Sequence, residues 1–463
     1  MTDEKTLQSL DALYNPKSVA LIGASREEGT VGNGLLKNML GQTMYPSKGK
    51  KYEGKIYPVN PKADEILGQK CYHSVSEIQD QVDLAVIMVN SKFVPLVLEE
   101  CGKKGVKTVI IISAGFSEVK NYDGEKQLVD IAKKHGMRIL GPNCLGFLNC
   151  TNGLNASFAP SIPSAGNVAF VSQSGAIVDA VIDMVTTYSF GFSSMVSIGN
   201  QCDIEITELI EYYAKDPNTE VITGYVESLR DGKKFIEVCK EVSKIKPIVL
   251  IKSGKSSKGS QAAASHTGKL AGSHEIFEAA CKQAGVLLVD TIEELFDISL
   301  VAACAPKLEK NAVAIITNAG GCGVLATDYC EDIGLDMCEF SQETFDILNA
   351  SPIMNQTYSR HNPLDIIGDA GPARYEIALK CAIKDPNVYG IIVLETLQTT
   401  TKPLETAKVI LDASKTTKKP IICAIIGGEY SKPGIDFLEQ NGMVVFTEAQ
   451  KAVKAMKFLL NKR

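Results

Sequence analysis

Of the five histidines in this 463-residue chain, one stands in surroundings suited to group transfer. His266 lies in Ala262-Ala263-Ala264-Ser265-His266-Thr267-Gly268-Lys269-Leu270-Ala271-Gly272-Ser273, a run of small residues in which nothing bulky crowds the imidazole. A neutral imidazole nitrogen can attack phosphorus and keep the phosphoryl group as a labile N–P bond. A plain solvated histidine is the other reading of such a position, and it is the reading given to His73, His135, His274 and His361. The segment follows an apolar run at 248–251 and, with so little to anchor it, is expected to be an exposed loop.

A phosphoryl group needs a cradle. Phe170-Val171-Ser172-Gln173-Ser174-Gly175-Ala176 reads as a strand running into a helix, and the N–H groups at Ser174, Gly175 and Ala176 would face an anion at the positive end of that helix. There is no lysine of the Walker type, and GxSxG is not met because Ser172 stands at the first glycine position. Ser174 is also a natural N-cap, which is compatible with anion binding.

Ser18-Val19-Ala20-Leu21-Ile22-Gly23-Ala24-Ser25, followed by Gly32 and Gly34, is a strand, a small-residue turn and a helix start suited to a nucleotide pyrophosphate. Residues 26–31 lengthen the loop beyond GxGxxG. The second strand ends in Asn60-Pro61-Lys62 where an NAD site would place a ribose-binding acid, so Asn60 and Lys62 better suit a phosphorylated nucleotide such as CoA. Three further strand ends, Val89-Asn90, Ser113-Ala114-Gly115 and Gly141-Pro142-Asn143-Cys144, carry small or amide residues and no catalytic acid or base. Together they form a binding surface at the carboxyl edge of a parallel sheet.

The elements that hold these residues are short apolar runs. They fall at 18–22, 55–59, 83–89, 106–112 and 137–140, then 167–171, 193–198, 221–225 and 247–251, then 312–317, 389–394, 420–425 and 443–445. Amphipathic stretches separate them, so the pattern is repeated βαβ. The expected fold is α/β: a Rossmann-like nucleotide-binding domain at 1–150, a flavodoxin-like domain at 151–306 and a second flavodoxin-like domain at 307–463, both doubly wound on parallel sheets. Blocks two and three open alike, Val168-Ala169-Phe170-Val171-Ser172-Gln173-Ser174-Gly175 against Val313-Ala314-Ile315-Ile316-Thr317-Asn318-Ala319-Gly320. A net charge of −6 with interspersed signs predicts no nucleic-acid partner, and the apolar runs are too short for a membrane span. Thirteen scattered cysteines without CxxC or zinc spacing predict reduced, buried thiols and no metal site, and the acidic N-terminus lacks a signal-like core, so a cytoplasmic protein is expected.

Five motifs, in order, resemble those of the ADP-forming (NDP-forming) acyl-CoA synthetases of the acetate–CoA ligase type, relatives of succinyl-CoA synthetase. They are Leu21-Ile22-Gly23-Ala24-Ser25, Gly141-Pro142-Asn143-Cys144-Leu145-Gly146, Val171-Ser172-Gln173-Ser174-Gly175-Ala176, Ser265-His266-Thr267-Gly268 and Thr317-Asn318-Ala319-Gly320-Gly321-Cys322-Gly323. Cys322 stands where the family usually has proline. The resemblance implies that His266 is the phosphohistidine, that Thr267 and Gly268 contact its phosphoryl group, and that Glu227 is its acidic partner. It implies CoA on Gly23, Ala24, Ser25, Asn60, Lys62, Val89, Asn90, Ser113, Ala114, Gly115 and Asn143. No stretch resembles an ATP-grasp fold, so Mg²⁺ and ADP or ATP are expected on a partner β subunit, in a heterotetramer or larger assembly. The rivals are an NAD-dependent oxidoreductase and a non-catalytic CoA- or nucleotide-binding regulator of the same fold.

Overall fold

Continuous β-branched runs become strands buried on both faces, and all five residues of β1 (Ser18–Ile22) are buried. A computed structural model describes residues 9–46, 49–185, 191–267 and 273–462, without the side chains of 263–267 and 461. Its contacts divide the chain into two compact units, Met1–Leu295 and Phe296–Arg463.

The first unit holds two sheets. β1 is followed by β2 (Lys55–Val59), a small hairpin of β3 (Glu65–Ile66) and β4 (Gln69–Lys70), then β5 (Leu84–Ile87), β6 (Thr108–Ile111) and β7 (Arg138–Leu140). The five long strands lie in the order β2-β1-β5-β6-β7, all parallel. The order reverses between β1 and β5, which opens a crevice at their carboxyl ends.

The second sheet contains β8 (Gly146–Asn149), β9 (Leu154–Ser157), β10 (Ala165–Ser172), β11 (Phe192–Ser197), β12 (Val221–Val226), β13 (Ile248–Lys252) and β14 (Leu287–Val289). Their order is β14-β13-β12-β10-β11-β8-β9, with the switch between β10 and β12. The core is parallel as the βαβ pattern requires, but β8 and β9 form an antiparallel hairpin on the edge. That hairpin was not legible, because its polar, Pro-rich surroundings read as a join. Apolar side chains under both sheets form one cluster, from Val19 and Leu35 to Val171, Ile206 and Phe235. Arg138 on β7 is bonded to Asp203 and Glu208 of the second sheet's connections.

The second unit has one parallel sheet, β15 (Val313–Thr317), β16 (Leu364–Asp365), β17 (Gly390–Thr396), β18 (Ile421–Ile426) and β19 (Val445–Phe446), in the order β16-β15-β17-β18-β19. Among the described residues no helix is long and apolar enough to cross a membrane. All thirteen cysteines are thiols rather than half-cystines, and all but Cys304 and Cys322 are buried.

Candidate functional site

The two switch points of the first unit share one cleft of about 730 Å³. Its walls include Val89, Asn90, Ser113, Ala114 and Asn143 from the first sheet's strand ends and Ser174, Gly175 and Ala176 from the start of the helix Gly175–Met184. Eight residues singled out from the sequence thus face one space. Val31, Met88, Ser91, Ile112, Cys144, Leu145, Phe158 and Gln173 line it as well.

Gly23 sits beside the cleft with φ +99°, and a Cβ there would lie 2.9 Å from the Met88 carbonyl oxygen, so glycine is needed for the turn to pass β5. Hydrogen bonds tie this turn to the end of β2. Asn60 Nδ2 donates to the Ala24 carbonyl at 2.7 Å, while Asn60 Oδ1 accepts the Lys62 N–H at 2.9 Å. Asn33 holds the Ser25 carbonyl, and Arg26, in the extra loop, donates to the Lys62 carbonyl. Gly23, Ala24, Ser25, Asn60 and Lys62 therefore form one corner.

Ser113 donates to the Val89 carbonyl, and Asn143, in a left-handed backbone at φ 57°, follows a cis Gly141-Pro142 bond. The Asn143 amide donates to Asn200 Oδ1 at 3.3 Å, and Asn200 Nδ2 donates to Glu118 at 2.6 Å and to Glu125 at 3.0 Å. Gly115 has its N–H engaged by Glu118. Burial raises the Glu118 pKa, but the bonds from Asn200 and from the Gly115 and Phe116 N–H groups outweigh it and hold the carboxyl below the usual range.

At the helix start, the Ser174 N–H goes to Ser172 Oγ at 3.1 Å, and Ser174 Oγ accepts the Ile177 N–H as N-cap. Among the described residues this leaves the N–H groups of Gly175 and Ala176 at the cleft wall, where the helix dipole favours negative charge. Glu227 follows β12 directly and is buried. Its main chain is held by Gln173, whose Oε1 accepts the N–H groups of Glu227 and Ser228 while its Nε2 donates to the Ser228 carbonyl. Across β13, burial lowers the pKa of the Lys252 ammonium, an effect the Glu227 carboxylate opposes.

The backbone of Ser257–Thr267 is helical, not the loop expected from its Gly and Ser content. Ala262, Ala263 and Ala264 explain the difference, since alanine is the best helix former. The His266 and Thr267 side chains, and Gly268 entirely, lie outside the described residues. The sequence places Gln173 in a motif, Glu118 at a strand end, Lys252 at the head of the histidine segment and Asn200 near a position expected to influence specificity, but it assigns none of the four a role, because Asn200 and Gln173 have partners distant in sequence. Among the described residues, no three His, Cys, Asp or Glu side chains are grouped to hold a metal ion.

The geometry defines a class: a sheet-switch crevice of the kind that receives nucleotides, joined to a helix start, and followed in the chain by a further parallel α/β sheet. Family models agree with it, a CoA binding domain matching residues 17–149, a succinyl-CoA ligase like flavodoxin domain matching 165–302 and a ligase-CoA domain matching 313–461. The α subunit of acetate–CoA ligase [ADP-forming] I from Pyrococcus furiosus is 44% identical over 97% of both chains. Acetate–CoA ligase [ADP-forming] from Methanocaldococcus jannaschii is 46% identical over 96% of this chain, which spans 62% of that relative's length. Among solved structures, the dinucleotide-forming acetyl-coenzyme A synthetase 1 of Ca. Korarchaeum cryptofilum, in complex with phosphate and ADP, superposes with a TM-score of 0.91 at 38% identity, covering 98% of this chain and 96% of that one. The chain belongs to the family of ADP-forming acetate–CoA ligases.

Proposed function

We propose that this chain is the CoA-binding, phosphohistidine-bearing α subunit of an NDP-forming acyl-CoA synthetase, organised as three domains at 1–150, 151–306 and 307–463. The observation that carries this reading is the shared cleft in which the strand ends at Val89, Ser113 and Asn143 meet the helix start at Gly175, with Glu227 directly after the neighbouring strand β12. CoA, as substrate, would lie along Gly23–Ser25, Asn60, Lys62 and the strand ends, its thioester reaching toward Gly175 and Ala176.

Inorganic phosphate attacks the thioester carbonyl, the C–S bond breaks, and CoA leaves as thiol with an acyl phosphate formed. The His266 imidazole then attacks phosphorus and releases the carboxylate. The Gly175 and Ala176 N–H groups stabilise charge on the phosphoryl oxygens. Glu227 accepts the other ring N–H, which orients the ring and offsets its developing positive charge. Thr267 and Gly268 contact the phosphoryl group as it forms. A partner β subunit with an ATP-grasp fold would supply Mg²⁺ and bind ADP, to which the phosphoryl group passes. The ADP and phosphate in the solved relative support that assignment of co-substrates.

The test is incubation with acetyl-CoA and radiolabelled phosphate. An acid-labile label that disappears in His266→Ala supports the enzyme. CoA binding with no label on the wild-type chain overturns it and leaves a CoA-binding regulator.

A further inference from the structure

The switch points of the second and third sheets are built to one plan, and the difference between them isolates a residue. In the second sheet Ser172 pairs with Tyr225, and its hydroxyl accepts the Ser174 N–H. In the third sheet Thr317 pairs with Leu394, and its hydroxyl accepts the Ala319 N–H. The next residue in each, Gln173 or Asn318, clasps the main chain of the neighbouring strand through its side-chain amide. Asn318 Oδ1 accepts the Thr396 N–H at 2.8 Å, and its Nδ2 donates to the Thr396 carbonyl at 2.9 Å. Gln173 Oε1 accepts from Glu227 and Ser228, and its Nε2 donates to the Ser228 carbonyl at 2.9 Å. Glu227 thus occupies the place that Thr396 holds in the sister sheet, and the clasp that reaches it is one methylene longer.

Gln173 also lines the cleft, but both ends of its amide are turned to the main chain, the oxygen accepting two N–H groups and the nitrogen donating to the Ser228 carbonyl. We infer that Gln173 is a positioning residue, which sets the Glu227 carboxyl at its working distance from the Gly175 and Ala176 N–H groups. The inference rests on the functional reading above. Gln173 adjoins Ser174 in the chain, so acid and cradle hang from the same two residues.

The test is Gln173→Asn, the residue the sister sheet itself uses for this clasp, which the fold accommodates there. Shortening the clasp by about 1.5 Å draws the Glu227 turn away from its place, and displacement of about 1 Å costs on the order of 100-fold in rate. With acetyl-CoA and radiolabelled phosphate, labelling of His266 should slow by about 10- to 100-fold, with CoA affinity and the thermal midpoint unchanged. In a Glu227→Gln background the same change should cost little more, because the group it positions is already lost. Gln173→Met, which removes the clasp at similar volume, should slow labelling by a similar factor while lowering the thermal midpoint, because the buried Glu227 and Ser228 N–H groups lose their acceptor. An unchanged labelling rate, or equal losses in both backgrounds, overturns the inference while the functional reading stands. So does failure of both Gln173 variants to fold, which would make the clasp a requirement of the fold. A wild-type chain that takes no label sinks the functional reading and this inference with it.

Discussion

Gly32 and Gly23 touch so closely that a methyl group on Gly32 would lie 2.1 Å from the Gly23 carbonyl oxygen. The helix Val31–Met39 can begin beside the small-residue turn only because Gly32 has no side chain. Gly32→Ala should therefore displace that turn, lowering CoA affinity at least tenfold by calorimetry and stability by about 1–3 kcal/mol in thermal melts. Gly34→Ala is the control. Nothing lies within 4 Å of its added carbon, so it should keep CoA binding and gain roughly 0.5–1 kcal/mol from helix propensity.

Glu227→Gln keeps the shape of the side chain and its main-chain bonds to Gln173 while removing the charge. Labelling of His266 from acetyl-CoA and phosphate should fall by about 10²- to 10⁴-fold, with CoA binding intact. Labelling within a factor of a few of wild type would show that the acid takes no part.

Arg138 is the ion-pair bridge between the first two sheets. Burial disfavours its charge, but the bonds it donates to Glu208 and Asp203 more than compensate and raise its pKa. The Glu208 side chain is only 5% exposed, so Arg138→Met leaves a buried carboxylate without its counter-ion. The expected loss is about 3–5 kcal/mol in denaturant unfolding. Arg138→Met with Glu208→Gln should recover part of it.

Glu395 on β17 occupies the register position that Val226 holds on β12, and it is 1% exposed. Burial raises its pKa from 4.5 to about 7, and the nearby Thr406 hydroxyl only partly counters this. Between those two values the folded chain keeps a proton that the unfolded chain has released. Stability therefore falls as pH climbs through that window and levels off above about 7. Glu395→Gln removes the dependence. Thermal melts should show the variant gaining on wild type at pH 8, by on the order of 3 kcal/mol, and differing little at pH 4.5. Equal differences at both pH values would show that the carboxyl does not titrate in this way.

Much of the scaffold was legible because burial on both faces writes a strand as an unbroken apolar run, as at Ser18–Ile22 and Val313–Thr317. The β8–β9 hairpin was hidden by the polar residues it carries, since Asn149, Asn155 and Ser157 are buried with hydrogen-bond partners instead of forming an apolar run. Ser257–Thr267 misled for the opposite reason, its glycines and serines outweighing three consecutive alanines. At the site, Ser174, Gly175 and Ala176 were visible as a local strand-to-helix corner. The hydrogen-bonding roles of Asn200 and Gln173 were not, because they depend on Glu118 and Ser228, which lie 82 and 55 residues away.

The apolar cluster running from Val19 and Leu35 to Val171 and Phe235 has a bearing on traffic through the cleft. Two sheets that share one oily interior cannot gape apart without wetting both, so the walls at Val89 and Gly175 keep their spacing whatever arrives between them. Ligands therefore meet a slot of constant width, and any adjustment on arrival falls to side chains and to the ligand itself.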